Sequence, residues 1–158
     1  MKKPAWQVYA LSVALAEVVG VISGLLSRDG MKMFAQTVAQ PAFSPPAWLF
    51  PLVWTVLYGL MGVGAARIYM SDPSAQRSMG LNVYATQLVV NFFWSLIFFN
   101  LQAFGLAFVW LIVLWVLVAW MIYTFAMVDP LAAFLQVPYL LWLTFAAVLN
   151  GVVWAMNR

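Results

Sequence analysis

The chain has no cysteine and no histidine, and little charge: seven Lys or Arg and four Asp or Glu in 158 residues. Without cysteine there is no disulfide framework, thiolate metal site or thiol nucleophile. Without histidine the commonest metal ligand and the commonest general base near neutral pH are missing. Charged residues make up 7%, against about 25% in a soluble domain. That is too little polar surface to coat a globule in water, so the bilayer must be the solvent. The net charge of +3 is small and scattered, which argues against a nucleic-acid partner.

What is present is apolar: 66% hydrophobic residues and a mean hydropathy of +0.98. A helix needs about 20 apolar residues to cross a bilayer. Five segments qualify, roughly 5–26, 48–69, 79–100, 104–128 and 131–156. The expectation is an all-α integral membrane protein, one five-helix bundle over residues 1–158 with no internal repeat. Connectors are short except for a long loop over 27–46. Asp72-Pro73 and Asp129-Pro130 read as a helix cap followed by the first helical position. Residues 100–103 read as a tight turn. Five spans put the ends on opposite sides. Lys2, Lys3, Arg67 and Arg77 on one side outnumber Arg28, Lys32 and Arg158 on the other, a faint vote for a cytoplasmic N-terminus. The start, "MKK" then an apolar run to "ALAE", has some character of a signal peptide. The run continues to Leu26, beyond a signal core of about 7–15 residues, which favours a retained span.

The stretch "PAFSPPAWLFPLVWTVLY" (Pro41–Tyr58) concentrates proline at the mouth of the second span. Ser44 reads as an N-cap with Pro45 and Pro46 in the first helical positions. Pro51, and Pro138 in the fifth span, should distort their turns. The freed backbone groups then need protein or a cavity as partner. These are either ordinary kinks or the device that opens a pocket between helices.

Three helix faces collect polar and aromatic groups at three- and four-residue spacing. Tyr84, Gln87, Asn91, Ser95 and Phe98 share a face of the third span. Phe50, Trp54, Tyr58 and Met61 share one on the second, and Tyr139, Trp142, Ala146, Asn150 and Val153 one on the fifth. Such faces turn away from lipid. Aromatic walls with a few hydrogen-bonding groups suit a large, flat, mostly apolar ligand. Gln87 and Ser95 read better as interhelical ties, Asn91 as a pocket group. On the first span, Val13, Glu17, Gly20 and Gly24 align, and Gly20-x-x-x-Gly24 permits close helix approach. Glu17 is the one carboxylate well inside a span: either a functional acid, or a protonated, hydrogen-bonded structural residue or one near enough to the span end to find water. Trp6, Trp48 and Trp154 read as interfacial anchors. Trp110, Trp115 and Trp120 fan around the fourth span.

With these residues in view, "SPPAWLFPLVWTVLYGLMGVGAARIY" (Ser44–Tyr69), "QLVVNFFWSLIFF" (Gln87–Phe99) and "PYLLWLTFAAVLNGVVWAMN" (Pro138–Asn157) resemble the TspO/MBR family, the tryptophan-rich sensory and translocator (peripheral benzodiazepine receptor-like) proteins, over nearly the whole chain. The resemblance implies a five-helix bundle, a homodimer and binding of protoporphyrin IX and related tetrapyrroles. In animal members it implies cholesterol and benzodiazepine- or isoquinoline-type drugs. It further implies light-dependent porphyrin breakdown through two pocket tryptophans, matching Trp54 and Trp142. Asn91 matches the pocket Asn, and Ala147 or nearby Ala146 the small pocket residue. Two departures stand out. Phe34 and Ala35 occupy the loop positions where many relatives have Trp-Tyr, so a loop hydroxyl is missing. Gly151 and Ala155 stand where animal members carry the Tyr and Arg linked to sterol, which argues against that kind of sterol binding.

The leading expectation is thus a membrane protein that senses or handles porphyrins, with no intrinsic cofactor and no metal site. Met and Tyr are present but His and Cys are not, so the metal-free ring should be preferred over axial ligation. Arg28 and Lys32 are candidates to pair with ring propionates at the mouth. Two other classes stay open: a proton-coupled small-molecule transporter using Glu17, and a ligand-gated helper acting through a membrane partner. A bacterial cell membrane is the simplest location.

Overall fold

The computed structural model describes residues 5–158. Lys2 and Lys3 of the charge count lie outside the described residues. Seven helices follow in order: α1 Ala5–Leu26, α2 Arg28–Thr37, α3 Leu49–Met70, α4 Ala75–Ser95, α5 Phe104–Ala126, α6 Pro130–Phe134 and α7 Val137–Met156. The five long, apolar units are α1, α3, α4 with its extension to Asn100, α5, and α6 with α7. Each is long and apolar enough to cross a membrane. Among the described residues there is no strand.

Helix α1 packs chiefly against α3, and α5 lies against α4, α6 and α7. The α1–α3 approach is close because Gly62 has no side chain. A Cβ there would stand 2.5 Å from Val13 Cα. Gly20 abuts the Tyr58 ring, whereas nothing lies within 4 Å of a Cβ on Gly24. The close approach expected of Gly20-x-x-x-Gly24 is therefore made by Gly20 and Gly62.

Several local expectations are corrected. The 27–46 segment is not all loop, since α2 occupies its first half. Ser44, Pro45 and Pro46 precede the helix. Helix α3 begins at Leu49 behind Trp48, so Pro51 falls in its first turn. Amide hydrogens there have no intrahelical partner in any case, and Pro51 needs no kink. Asp72-Pro73 does not cap α4; Ser74 does, accepting from Arg77 N at 3.1 Å. Asp129-Pro130 keeps the expected arrangement, with Asp129 accepting from Leu131 N and Ala132 N ahead of Pro130. Residues 101–103 form the expected turn, with Gln102 at φ 48°.

The fifth span is broken, not merely bent. Helix α6 ends at Phe134, and α7 restarts at Val137 with Pro138 in its first turn. The side chain of Gln136 bridges the gap to α3. Its Nε2 donates to Ala132 O and to Leu60 O of α3, both at 3.2 Å. Gly64 makes room, because a Cβ there would collide with the same amide. Helix α6 thus lies against α3, while α7 follows α5 and makes no comparable approach to α3.

At the same end, Arg67 Nη2 meets Asp129 Oδ2 at 2.7 Å, and Arg77 donates to Tyr69 O. Replacing Gly62 by Ala should destabilise the protein by about 1–3 kcal/mol through forced separation of α1 and α3. Gly24→Ala should be neutral or stabilising, since helix propensity alone changes there. Thermal unfolding of both variants in detergent checks this pair of signs.

Candidate functional site

Where α7 stands away from α3, a cavity of about 580 Å³ opens. Its walls come from four helices and its cover from the segment after α1. Phe50, Trp54 and Tyr58 line it from α3; Asn91, Trp94, Ser95, Phe98 and Phe99 from the third span; Trp142, Phe145, Ala146 and Asn150 from α7; Glu17, Gly20 and Gly24 from α1. Met31, Phe34 and Ala35 of α2, with Gln40, Ser44 and Pro45, close one side.

The aromatic walls are built from ring pairs. Trp54 lies 5.6 Å from Tyr58, Phe50 is 5.8 Å from Trp142, and Trp142 is 5.4 Å from Phe145. The third span ends in a wider π-type turn over Leu96–Asn100, a local irregularity that recurs at functional sites. There the adjacent Phe98 and Phe99 both reach the cavity. Phe34 of α2 packs on both, at 5.2 and 5.4 Å. Trp142 and Phe145 also border a shallow groove shared with Leu52, Val56 and Leu141. These two rings therefore divide the cavity from the outer surface between α3 and α7.

The floor is a buried hydrogen-bond ladder. Asn91 Nδ2 donates to Tyr58 OH at 3.1 Å. Below it Tyr139 OH donates to Gln87 Oε1 at 2.9 Å, and Gln87 Nε2 lies 3.6 Å from Met61 Sδ. Gln87 is fully buried in this ladder and does not line the cavity. Ser95 has two roles: it pairs with Ser23 Oγ at 2.5 Å and Ser27 Oγ at 3.1 Å, and it borders the cavity. Among the described residues two buried polar atoms of the lining lack a partner, Trp94 Nε1 and Asn150 Oδ1. Each such group costs about 1–3 kcal/mol unsatisfied. A ligand offering one acceptor and one donor would recover that cost.

The structure brings Phe50, Trp54, Tyr58, Asn91, Ser95, Trp142, Ala146 and Asn150 to one cavity, and leaves five other candidates out of its lining. Gln87 and Tyr84 share the helical face of Asn91 but sit one and two turns deeper in the core, where Tyr84 packs near Phe125. Ala147 is half-buried against the core, as Ala146 is, but does not line the cavity. Arg28 and Lys32 are on the exposed side of α2, with Lys32 3.8 Å from Asp29. Trp154 is no free anchor: it packs on Phe108 and beneath Arg158. Trp6 and Trp48 are exposed, as anchors would be. Sequence reasoning missed Trp94, Phe99 and Phe145. The signal for Trp94 was its position three residues after Asn91 and one before Ser95.

The sequence model of the TspO/MBR family matches residues 12–155. The chain belongs to the TspO/MBR family. Tryptophan-rich protein TspO of Chlorobaculum tepidum is 32% identical over 149 residues, covering 94% of each chain. Protein CrtK of Rhodobacter capsulatus is 33% identical over 99% of this chain and 95% of its own. The human Translocator protein is 33% identical over 98% of this chain and 93% of its own. The protein is accordingly a multi-pass membrane protein of the sensor and translocator type.

The cover over the cavity is pinned to the end of α7. Asn157 donates to Ala39 O at 2.9 Å and accepts from Ala39 N at 3.0 Å. Two such bonds contribute about 0.5–1.5 kcal/mol each. Asn157→Ala should therefore raise amide hydrogen exchange at Ala39 by about tenfold or more, with the body of α7 before its last turn, where Asn157 Nδ2 also donates to Val153 O at 2.8 Å, unchanged. Exchange mass spectrometry resolved to that segment reads the effect.

Proposed function

We propose that the protein binds a tetrapyrrole of the protoporphyrin IX type in this cavity and acts on or through it. The observation that carries this reading is the pair of indoles, Trp54 on α3 and Trp142 on α7, lining one apolar cavity in a TspO/MBR chain. A flat macrocycle would be held by ring contacts with Trp54, Tyr58, Phe50 and Trp142, and by exclusion of lipid. Asn91, Ser95 and Asn150 supply the few polar contacts, and Ala146 leaves room where a larger side chain would not. The cavity offers no His or Cys, since the chain has neither. The metal-free ring is therefore the natural guest. Arg28 and Lys32 contribute long-range attraction to propionates and no direct contact.

Light-driven loss of the bound pigment follows from the same walls. Indole is the most easily oxidised aromatic side chain. A photoexcited porphyrin that takes one electron from it leaves a porphyrin radical anion and an indole radical cation. Dioxygen, the required co-reactant, adds to the reduced ring and supplies both the oxygen atoms and the oxidising equivalents for its opening. Trp94 is a third indole on the cavity, so the donor set is three residues.

Each aromatic contact contributes about 0.5–1.5 kcal/mol beyond area burial. Single Trp54→Phe or Trp142→Phe changes should then weaken dark binding by about tenfold or less. The double variant should keep measurable affinity while band decay under illumination is largely lost, and Trp94→Phe added to it should remove what remains. Titration in the dark and band decay at equal occupancy are read side by side. Wild-type decay in the triple variant would make the tryptophans walls and not reactants.

A further inference from the structure

Glu17 is the only charged side chain among the described residues that line the cavity. It lies on α1 one turn before Gly20, on the face that borders the cavity. A Cβ on Gly59 would stand 3.8 Å from Glu17 Oε1, so the carboxyl group reaches α3 beside Tyr58. Neither ion pair found among the described residues involves it. The cations at this end, Arg28 and Lys32, are on the exposed side of α2 and do not line the cavity.

A lone carboxylate against apolar walls lacks the solvation that water would give it. It either takes up a proton or recruits a cation. The walls favour a cation as well, because the faces of Trp and Tyr rings attract positive charge within about 6 Å of their centroids. Trp54, half-buried, lines the cavity together with the acid and offers such a face, while the buried Tyr58 ring packs behind it at 5.6 Å and against Gly20 of α1. An anion of the same size would face an uncompensated like charge in a region of low dielectric.

We propose that the cavity accepts bulky lipophilic organic cations, held by the Glu17 carboxylate and the ring of Trp54. This ligand class shares the cavity with the tetrapyrrole but does not rest on that reading. It also sets an orientation for any guest carrying carboxylates, whose acidic edge must point away from Glu17.

Tetraphenylphosphonium and tetraphenylborate test the proposal, being alike in size and shape and opposite in charge. Binding of each to the full-length protein in neutral detergent is measured by equilibrium dialysis and corrected for uptake by empty micelles. The wild type should take the phosphonium about tenfold or more tighter than the borate. Glu17→Gln should bring the two within about threefold of each other, and Glu17→Asp should retain part of the preference. A wild type that binds neither ion, or binds both alike, overturns the proposal without needing any variant. So does a folded Glu17→Gln protein that keeps the wild-type preference. Protoporphyrin IX is titrated separately in the same preparations. Its failure to bind would remove the tetrapyrrole reading and leave the cation result standing.

Discussion

The break between α6 and α7 is bridged by Gln136, whose side-chain amide ties the end of α6 to α3. Backbone carbonyls at membrane depth have no water to turn to. Gln136 Nε2 gives one proton to Ala132 O of its own span and one to Leu60 O of α3. That single amide partners one carbonyl freed at the break and ties α6 to α3. Once α6 is fixed there, the direction of α7 follows from its packing along α5, and the distance it keeps from α3 is the cavity. Gly64 belongs to the same device, since any side chain there would displace the amide.

The cavity is consequently a gap between well-tied elements. Its floor is held by Tyr58–Asn91 and Tyr139–Gln87 pairs from three helices. The third span is tied to the α1 end by Ser23, Ser27 and Ser95. The cover is held at both ends, by Asn100 Nδ2 on Leu26 O at 2.9 Å and by Asn157 on Ala39. Such polar ties carry more weight in lipid because burial of apolar surface does not drive one helix against another there. What remains adjustable is the Trp142–Phe145 wall, which has the cavity on one side and the outer groove on the other.

The spans were legible because a bilayer demands about 20 apolar residues per helix, and the chain alternates such runs with short polar connectors. The aromatic faces of α3 and α7 were legible from three- and four-residue spacing. Depth was not: a helical face runs the full length of a span, so Tyr84 and Gln87 looked equivalent to Asn91 although they lie under the floor. Helix α2 was hidden because its polar, short stretch has no signal of a span. Proline was read as a source of kinks, yet Pro51 falls where its missing amide hydrogen costs nothing. The residue that bridges the break, Gln136, lies two residues before Pro138, and its contacts with Leu60 and Gly64 are tertiary. No local pattern announces them.

The central claim is that the aromatic cavity is the ligand site, and filling it is the most direct test. Ala146 lines it from α7 between Trp142 and Asn150. An indole there, Ala146→Trp, would occupy the space a macrocycle needs without touching the Gln136 tie or the floor. Dark titration of protoporphyrin IX into wild type and Ala146→Trp, with helix content and melting compared, should show saturable binding in the first and none in the second. A well-folded Ala146→Trp protein that binds the porphyrin as tightly as wild type would place the ligand elsewhere and contradict the account.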